Sequence, residues 1–560
     1  MAEWVYCSKA SGSEARLRSL LEAHRLSFDV EATGTDVGSD VPIGFSLACS
    51  GDDGYYTQME NHFFKSLLAM DKLYIAHNAS YDRSMMKKGG VIVDNLACTQ
   101  IAAHLLEEPQ LSLKELTGHK VRSFNELKHG FAGMSTKDIG DYSCPHAMET
   151  YLLWEQQEQQ LKELALLKLF WSIEMPLVPV ISDMEFNGVM VDKQVLSGLG
   201  ELFDEKIEML KEALDYWSGT SNVNFNSPDQ LADVLFSKLG LPPHPWRRTA
   251  SGRSTVLAKY LEQIKSQHPF LPVYLAYKQL MTLKNNYVNS LGASIHSDGR
   301  VYGKFNQTNT RTGRLSSSGP NLQKIPERTE LGRRIRTAFI APEGKKLLKA
   351  DYDILELKML AIASKNRALL DAFKQGKDIH NETAMRAYRT LSMRPRAKTL
   401  NYQIVYGGGG IADRGMFFRA YPGVQEWIQS IHKQAREAHY ITTLNGRIRT
   451  IPEYMQDDLF TLDDRRTAHG DREALSTLIQ GTSAEEVKVG MRQVWEKLRD
   501  SAVKMLLQVH DEILFEVPAD IIMDVAKVIK EQMTIRRYEI PLTVSISVGD
   551  NWGEMTKLEV

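Results

Sequence analysis

Short apolar runs alternate with stretches of helical spacing across residues 1–155. Residues 26–30, 43–49 and 73–76 have the length and the apolar content of buried strands, and amphipathic stretches lie between them. This alternation predicts an α/β domain.

Residues 156–300 have mostly helical periodicity, with a break at EFNGVMVD. Amphipathic helices are predicted in SPDQLADVLFSKLG and STVLAKYLEQIKSQH, joined by the basic segment HPWRRTASGRST. Beyond residue 301 the pattern is mixed, with strands predicted near residues 346–350, 506–509, 513–517 and 542–547. The fold class expected for the whole chain is therefore multidomain, α/β followed by α+β.

Two acids stand side by side in the stretch LLQVHDEILFEV. Its flanks predict a hairpin of buried strands with His510, Asp511 and Glu512 at the tip, although tight hairpin turns favour Asn-Gly or Asp-Gly because their backbone needs positive φ. A solvated turn is the ordinary explanation of one isolated acid pair. A second acid elsewhere in the same site would favour cation binding.

The stretch KKLLKADYDILELKMLAIAS supplies such an acid, Asp351. A core strand is predicted before it and a helix after it, which places Asp351 at a strand-to-helix junction. If the two strands are neighbours in one sheet, Asp351 and Asp511 come together. Carboxylates at that distance repel unless divalent cations bridge them, and two Mg²⁺ ions about 4 Å apart can clamp both oxygens of a phosphoryl transfer.

A basic stripe is predicted in RPRAKTLNYQIVYGGGG. If Pro395 lies in the first turn of a helix, Arg394, Lys398 and Tyr402 follow one another along one face. A guanidinium, an ammonium and an aromatic ring suit a triphosphate and a stacked base. A solvated helix face is the alternative for this stretch alone, but together with Asp351 and Asp511 it supplies the charges that nucleotidyl transfer needs.

The amino-acid composition is that of an ordinary globular protein and excludes few functions. The chain has 560 residues, of which 43% are hydrophobic, which allows two to four domains. No apolar run is long enough to span a bilayer, and the first residues lack a secretory core, so a cytoplasmic protein without membrane partners is expected. The four cysteines show no CxxC spacing and are predicted to be reduced. The net charge of −2 neither supports nor excludes a nucleic-acid partner.

At this point the sequence resembles DNA polymerase family A, from bacterial polymerase I to phage replicative enzymes. ADYDILELKMLA, RPRAKTLNYQIVYG and QVHDEILFEV resemble its motifs A, B and C. Further matching segments in the right order are TRTGRLSSSGPNLQKIP, GRRIRTAFIAPEG, DIHNETA, RAYPGVQEWI, LNGRIRTIP and REALSTLIQGTSAE. The resemblance implies a right-hand polymerase with linker and thumb at 156–300, palm at 301–358 and 441–560, and short fingers at 359–440.

The resemblance also implies roles for individual residues. Asp351, Asp511 and the Tyr352 carbonyl would hold two Mg²⁺ ions, with Mn²⁺ as an alternative, and Glu512 would lie beside them. Arg394 and Lys398 would bind the triphosphate of the incoming deoxynucleotide, and Tyr402 would pack against its sugar and base. Glu356 would block a ribose 2′-hydroxyl and would form a hydrogen bond with Tyr406.

Primer and template contacts follow from the same resemblance. The matching positions are Arg314, Asn321, Gln323, Arg472, Gln480 and His510, and in the thumb Arg247, Arg248 and Arg253. Minor-groove acceptors are common to all correct pairs, so such contacts test pair shape without reading sequence. The expected partners are primer-template DNA, dNTPs and replication accessory proteins, and the protein is expected to be a monomer.

The amino-terminal segments FDVEATGTD and AHNASYD place Asp29 and Glu31 on one side of a strand and supply Asn78 and Asp82. They resemble the DnaQ-like 3′–5′ exonuclease of this family, which has a ribonuclease H-like fold. In that family four acids bind two metals, and a metal-bound water attacks the terminal phosphodiester.

The sequence departs from that pattern at the fourth acid. The family's third motif is Tyr-x-x-x-Asp, whereas DYSCPHAMETYLL has Tyr142 followed by His146. Imidazole prefers softer ions than Mg²⁺ and brings no negative charge, and neither Asp141 nor Glu149 replaces the acid without a register shift. We therefore expect proofreading to be weak or lost. The alternative is that His146 acts as a general base or binds a different metal.

Other departures concern the polymerase region. Three positions differ from the family's usual residue: Lys358 stands for an arginine, Gln403 for a glycine and Asp353 for a small polar residue. The extra charge of Asp353 would either alter the affinity for metal or nucleotide, or simply face solvent. The stretch after Tyr406 is short and includes four glycines, which predicts short fingers with a mobile tip. A missing 5′ nuclease domain and transit leader favour a phage enzyme.

Two rival functions are a nuclease whose carboxy-terminal part only binds DNA and a catalytically silent DNA-binding scaffold. The intact acids and basic stripe argue against both, and use of RNA templates stays open.

Overall fold

The computed structural model describes residues 4–8, 14–221, 223–244, 255–327, 329–408, 411–455 and 464–560. The thumb arginines Arg247, Arg248 and Arg253 and part of the predicted glycine tip lie outside the described residues.

The amino-terminal region is built on a six-stranded mixed sheet. Its strands are β1 Trp4–Ser8, β2 Arg25–Ala32, β3 Pro42–Ala48, β4 Asp53–Gln58, β5 Leu73–Ala76 and β6 Leu96–Cys98. The order is β1-β4-β3-β2-β5-β6, in which β2, β5 and β6 are parallel and the other neighbours antiparallel. The predicted strands at 26–30, 43–49 and 73–76 are confirmed as β2, β3 and β5. A seventh strand, β7 Lys128–Phe131, lies outside this sheet.

Helices cover this sheet, and one of them carries the third exonuclease segment. The helices are Glu14–Glu22, His62–Leu68, Ala79–Lys88, Thr99–Leu105, Leu113–Leu116 and Thr136–Glu163. The last begins with a capping box, because the Ser135 side chain accepts from Asp138 N while Asp138 accepts from Ser135 N. Buried hydroxyls of Ser27 and Ser46 donate to the carbonyls of Ala147 and Ser143, which fixes the register of this helix on the sheet.

The middle of the chain is helical, as the sequence predicted. Its helices are Leu167–Leu169, Val178–Asn187, Lys193–Ser218, Pro228–Ala232, Ala258–Gln263, Phe270–Leu283 and Ser290–Ala293. The predicted break falls at Gly188, whose φ of +55° ends the helix, and Asp192 caps the next one by accepting from Gln194 N and Val195 N. Buried Leu196, Leu199, Phe203, Ile207 and Leu214 recur at helical spacing and form the core of this arm.

The carboxy-terminal region contains a five-stranded antiparallel sheet. The remaining strands are β8 Val189–Met190, β9 Arg300–Val301, β10 Lys304–Asn306, β11 Ser316–Ser318, β12 Lys345–Tyr352, β13 Tyr440–Thr442, β14 Ile448–Thr450, β15 Lys504–Val509, β16 Glu512–Pro518, β17 Val544–Gly549 and β18 Thr556–Leu558. The sheet has the order β15-β16-β12-β17-β18, and β8/β9, β10/β11 and β13/β14 form separate pairs. The four predicted strands are confirmed as β12, β15, β16 and β17.

Helices make up most of the rest of the carboxy-terminal region, including the segment 359–440 predicted as fingers. They are Glu330–Arg336, Leu355–Ser364, Arg367–Lys374, Ile379–Thr383, Arg394–Val405, Ile411–Ala420, Val424–Ala438, Asp464–Ser476, Thr482–Leu498 and Ile522–Met533. Short π and 3₁₀ segments join several of them, including π turns at Ala384–Tyr388 and Thr477–Gly481. The domain boundaries derived from the resemblance stay a prediction.

A buried ion network ties the end of the amino-terminal part to the carboxy-terminal part. Glu174 accepts from Lys488 Nζ at 2.7 Å and from Arg447, and Arg447 Nε donates to Glu485 at 3.0 Å. The four side chains are nearly inaccessible to solvent. Since removing one member of such a network leaves a buried charge uncompensated, it fixes the two parts against each other.

One buried acid at this junction makes stability depend on pH. Glu185 accepts from Phe305 N at 2.7 Å, and burial raises its pKa from 4.5 to about 7. Its charged form therefore destabilises the fold progressively as pH rises from 4.5 through 7. We expect Glu185→Gln to be more stable than the parent at pH 8, by at most roughly 3 kcal/mol, with a small difference at pH 5. Denaturant unfolding at both pH values measures this.

The matched control for that prediction is Glu205→Gln, on the exposed side of the helix Lys193–Ser218. It should follow the parent at both pH values. An identical pH dependence of Glu185→Gln and parent would contradict the prediction.

Within the described residues no single helix is both long and apolar enough to cross a bilayer. The bent pair Thr136–Glu163 and Leu167–Asn187, with 115° between its halves, passes that test on length and composition only.

Candidate active site

Strand pairing brings the two distant aspartates to one end of the five-stranded carboxy-terminal sheet. β12 and β16 are antiparallel neighbours with Asp351 opposite Glu512, and Tyr352 N donates to the Asp511 carbonyl at 3.3 Å. Asp511 is thus adjacent to the end of β12. Asp351 itself lies inside β12, one residue before its end, and not after the strand as the sequence predicted. The strand extends because Asp351 also pairs with Ser545 of β17.

Both aspartates are electrostatically unfavourable without a cation. Burial and the neighbouring charges of Asp511 and Glu512 raise the pKa of Asp351 to about 7. Burial raises the pKa of Asp511 to about 6, and the charge of Glu356 contributes. Two half-buried carboxylates that disfavour each other's ionisation are a donor set that fits divalent ions. Tyr352 can contribute only its carbonyl, because its hydroxyl donates to Met533 O at 2.9 Å inside the core.

Glu512 differs from its predicted place at the hairpin tip. It is the first residue of β16 and is buried, so the tip consists of His510 and Asp511. Its carboxylate accepts from Trp552 Nε1 at 2.6 Å and forms ion pairs with Lys349 at 3.2 Å and Arg336 at 3.7 Å. These donors compensate the acid that the sequence left unexplained, and they allow it to lie in a strand.

His510 provides the positive φ that the hairpin turn needs. Its φ is +60°, which is uncommon for a residue other than glycine. Gln508 supports the turn by donating to the His510 carbonyl, and Gln323 Nε2 donates to the Gln508 side chain at 2.8 Å. The tip is therefore held by Gln508 of the hairpin itself, which Gln323 supports from outside the hairpin.

The predicted basic stripe lies on one helix that faces the same cleft. The helix Arg394–Val405 has Pro395 in its first turn, as predicted. Lys398 and Tyr402 line a cleft of about 880 Å³ together with Arg314, His510 and Asp511. Arg394 lies at the start of the helix, half-exposed, and donates to Asp378 at 2.7 Å. Among the described residues Lys398 has no acidic partner, so its charge is available in the cleft.

Glu356 accepts from two residues at the centre of this cleft. Tyr406 Oη donates to one of its oxygens at 2.7 Å, and Arg314 donates to the other. The predicted hydrogen bond between Glu356 and Tyr406 is confirmed. Glu356 lies in the first turn of the helix Leu355–Ser364 and is held from both sides by these two donors.

Asp353 and Lys358, the two motif A residues that differ from the family, contact the same hydroxyl group. Asp353 accepts from Thr543 Oγ1 at 2.8 Å, and buried Lys358 donates to the same hydroxyl oxygen at 2.9 Å. Burial lowers the pKa of Lys358. The carboxylate of Asp353 thus takes part in an internal contact with Thr543, the residue before β17. Gln403 lines the cleft beside Tyr402.

The other predicted DNA contacts are distributed around the cleft. Asn321 and Gln323 lie at the 3₁₀ turn Leu322–Lys324 beside β15. Arg472 is exposed on the helix Asp464–Ser476, and Gln480 is half-buried in the following π turn. None of these four lines the cleft itself, so their roles stay predictions.

The amino-terminal acids also converge. Ligand atoms of Asp29, Glu31 and His146 all lie within 4.8 Å of one another, and a cleft of about 490 Å³ includes Asn78 and Asp82. Burial raises the pKa of Asp29, Glu31 and Asp82, and for the last two the charge of Asp29 adds to it. One carboxylate oxygen each of Glu31 and Asp82 is buried without a hydrogen-bond partner. Such oxygens fit a cation.

His146 occupies the place of the fourth acid, but both its ring nitrogens face carbonyl oxygens. Nδ1 lies 2.8 Å from Tyr142 O and Nε2 lies 2.8 Å from Arg122 O. Because carbonyls only accept, each of these contacts is a hydrogen bond only when the facing nitrogen carries a proton. The charge of His146 lowers the pKa of Asp29 against the effect of burial. His146 therefore brings no negative charge to the position where the resemblance predicts a carboxylate, and in this rotamer both ring nitrogens are directed at carbonyl oxygens.

The two acids near His146 along the chain, Asp141 and Glu149, are both paired with lysines. Asp141 is exposed and pairs with Lys137 at 2.6 Å, and Glu149 pairs with Lys120 at 3.0 Å. The expectation that neither replaces the missing acid is confirmed for this register.

Sequence reasoning missed the residues that support the acids. Arg336 packs over the Trp552 ring at 4.0 Å, and both hold Glu512 together with Lys349. Lys349 could have been found, since it lies two residues before Asp351 on the same face of the strand. Trp552 carried no signal, because its position depends on a chain segment that returns to the sheet after β17.

Two family models match the chain. The model of DNA polymerase family A matches residues 193–554, and the model of a 3′-5′ exonuclease matches residues 4–134. The second match ends before Tyr142 and His146.

Similar curated proteins are named DNA polymerase I. The chain is 33% identical to that of Chloroflexus aurantiacus, over 97% of this chain and 62% of the relative. It is 31% identical to that of Pseudomonas aeruginosa, over 97% and 65%. The thermostable DNA polymerase I of Thermus thermophilus is 36% identical over 75% of this chain and 52% of its own. The chain thus spans less than two thirds of these relatives.

A solved structure is similar over nearly its whole length. The POL domain of Pol1 from M. smegmatis, in complex with DNA primer-template and dNTP, has a TM-score of 0.87 and 29% sequence identity. The match covers 97% of this chain and 99% of that chain.

Proposed function

Because this chain belongs to DNA polymerase family A, we propose that it is a template-directed DNA polymerase that adds deoxynucleotides to a primer 3′-hydroxyl. The observation that carries the proposal is the convergence of Asp351 and Asp511 at one end of the sheet, beside a cleft lined by Lys398 and Tyr402. The partners are primer-template DNA and dNTPs. Monomeric state, accessory proteins and cytoplasmic location belong to the same proposal.

In this proposal Asp351, Asp511 and the Tyr352 carbonyl hold two Mg²⁺ ions, with Mn²⁺ as an alternative. When bound, such ions activate the primer hydroxyl and stabilise the leaving pyrophosphate. The raised pKa values of both aspartates mean that the carboxylates become favourable as a pair only with cations present. Glu512 is not a metal ligand in this proposal. Its carboxylate is paired with Lys349 and Arg336 and accepts a hydrogen bond from Trp552.

The helix Arg394–Val405 binds the nucleotide. Lys398 and Arg394 meet the triphosphate, which requires Arg394 to exchange Asp378 for phosphate oxygens, and Tyr402 packs on sugar and base. Glu356, held by Tyr406 and Arg314, leaves no room for a 2′-hydroxyl. Arg314, Asn321, Gln323, Arg472, Gln480 and His510 contact primer or template, with Arg247, Arg248 and Arg253 on the duplex backbone.

Extension of a labelled primer-template, with and without dNTPs and Mg²⁺, tests the proposal. Products longer than the primer that require both dNTPs and metal are expected. Shortening in place of extension would instead support the rival nuclease.

The steric-gate role predicts relaxed sugar selection in Glu356→Ala. Removing the carboxylate opens space for a 2′-hydroxyl, so the ratio of kcat/KM for dNTP over rNTP should fall by about 10- to 100-fold. Single-nucleotide extension measures both values. Glu356→Gln is the matched control, because it keeps the bulk and should retain most of the selection. If Glu356→Ala rejects rNTPs as the parent does, Glu356 is not the gate.

For the amino-terminal domain we propose a 3′–5′ exonuclease fold whose activity is weak or lost. Asp29, Glu31 and Asp82 retain the donor set of a metal site, whereas His146 adds no carboxylate there and directs both ring nitrogens at backbone carbonyls. Asn78 and Tyr142 line the same cleft. The alternative, His146 as a base or as ligand of a softer metal, requires its ring to leave one of the two carbonyls.

A further inference from the structure

The loop at residues 307–314 joins the polymerase cleft to the amino-terminal domain. It runs between β10 and β11 and ends at Arg314, the donor to Glu356. His104, on the helix Thr99–Leu105 of the amino-terminal domain, contacts it: His104 Nε2 lies 3.0 Å from the Thr310 carbonyl oxygen. The domain that carries the degraded exonuclease cleft therefore reaches a segment of the polymerase site.

The direction of this hydrogen bond is determined by its partners. A carbonyl oxygen only accepts, so Nε2 carries the proton and donates. Burial and the nearby positive charges of Arg447 and Lys488 lower the pKa of His104 to about 4. At neutral pH the ring is therefore an uncharged Nε2–H tautomer, and the contact persists across the working pH range.

From Thr310 the chain of contacts continues to the nucleotide gate. Thr310 Oγ1 donates to the Arg314 carbonyl at 2.6 Å. The Arg314 guanidinium donates to Glu356, and Tyr406 Oη donates to the same carboxylate at 2.7 Å. His104 is thus two residues removed from the side chain that would select deoxyribose.

Neighbouring contacts leave the loop little freedom to compensate. Gly313 has φ +77°, and a Cβ there would lie 2.6 Å from Arg447 Nε, so backbone and buried guanidinium are in close contact. Arg311 donates to the Thr450 carbonyl at 3.1 Å, and Glu107 of the amino-terminal domain accepts from Thr450 N at 2.7 Å. The loop is enclosed between the amino-terminal domain and the β13–β14 hairpin.

We propose that His104 is a positioning residue for nucleotide selection, which holds Arg314 on Glu356 through Thr310. The amino-terminal domain then serves the polymerase site directly, whatever its own nuclease activity. This inference rests on the proposed polymerase function.

His104→Phe and His104→Gln test the proposal in the full chain. Phenylalanine keeps a ring but cannot donate, whereas the glutamine Nε2 can replace the imidazole Nε2–H. In single-nucleotide extension, His104→Phe should lower the dNTP-over-rNTP ratio of kcat/KM by about five- to tenfold, the loss of one neutral hydrogen bond, through a changed dNTP KM. His104→Gln should stay within about twofold of the parent. The melting temperature and the Kd for primer-template should be nearly constant.

His129→Phe is the matched control, since His129 is an exposed histidine on β7 of the same domain. It should leave the ratio unchanged. If His104→Phe does not fold, Thr310→Val removes the next link and should relax selection equally, with Thr310→Ser restoring it.

An unchanged ratio in His104→Phe or in Thr310→Val, in a parent that extends primers with dNTPs, overturns the role of His104 alone. A parent that extends no primer overturns the proposed polymerase function, and this role with it. A fall in melting temperature and in every kinetic constant together, without rescue by glutamine, would assign His104 a purely structural role.

Discussion

Asp351→Ala and Asp511→Ala are each expected to slow primer extension by about 10³-fold or more, because each removes a ligand of ions whose charge stabilisation amounts to several kcal/mol. Rapid-quench extension of a labelled primer measures the rate. The Kd for primer-template, from a gel-shift titration without dNTPs, should change little, since duplex contacts come from other residues.

The same variants should not lose stability. In the folded protein the pKa of Asp351 is raised to about 7 and that of Asp511 to about 6, so their ionisation destabilises the metal-free fold increasingly as pH rises from about 4 through 7. At pH 8 in EDTA both alanine variants should therefore melt at or above the temperature of the parent. Added Mg²⁺ should stabilise the parent more than the variants.

Asp353→Asn is the matched control for this pair of variants. Asp353 lies in the same segment, but its carboxylate accepts from Thr543 Oγ1, away from the proposed metal ligands. It should keep most of the extension rate. Rapid extension by purified Asp351→Ala or Asp511→Ala would contradict the proposed metal centre.

His146→Asp is expected to raise 3′–5′ excision by roughly 100-fold, because it replaces the imidazole by the carboxylate that the proposed metal site lacks. The parent should degrade single-stranded or mismatched primer ends slowly in Mg²⁺. The helix that carries residue 146 is bonded to the sheet through Ser27 and Ser46, so the new side chain should enter an otherwise intact cleft.

Two controls separate charge from size. His146→Asn removes the imidazole without adding negative charge, and its excision should stay slow. An Asp351→Ala background removes resynthesis from the measurement. If the parent already excises rapidly and both substitutions slow it, His146 is a base or a metal ligand, which is the alternative that the sequence left open.

The contact between His104 and Thr310 offers a physical reason why the amino-terminal domain can serve the proposed polymerase site whatever its own nuclease activity. Its helix Thr99–Leu105 lies against the loop that carries Arg314, and the buried network of Glu174, Arg447 and Lys488 fixes the two parts beside it. His146 contacts Tyr142 and Arg122 and takes no part in these contacts.

The sequence alone determined the strands that carry the chemistry. Alternating and continuous apolar runs predicted β2, β3, β5, β12, β15, β16 and β17, because burial of one or both faces leaves a local signal. The acids at the ends of those runs, and the basic stripe at helical spacing on Arg394–Val405, were visible for the same reason. The departure at His146 was visible as a single substitution within a motif.

Tertiary structure alone decided what each acid contacts. Glu512 was predicted at a turn but lies in a strand. Its buried carboxylate is compensated there by ion pairs with Lys349 and Arg336 and by a hydrogen bond from Trp552, which come from three separate parts of the chain. The link from His104 to Arg314 spans about 200 residues of sequence, and hydrogen bonds between such distant segments leave no periodic pattern. Local sequence encodes which face is buried, whereas the partner of a buried charge depends on how distant elements pack.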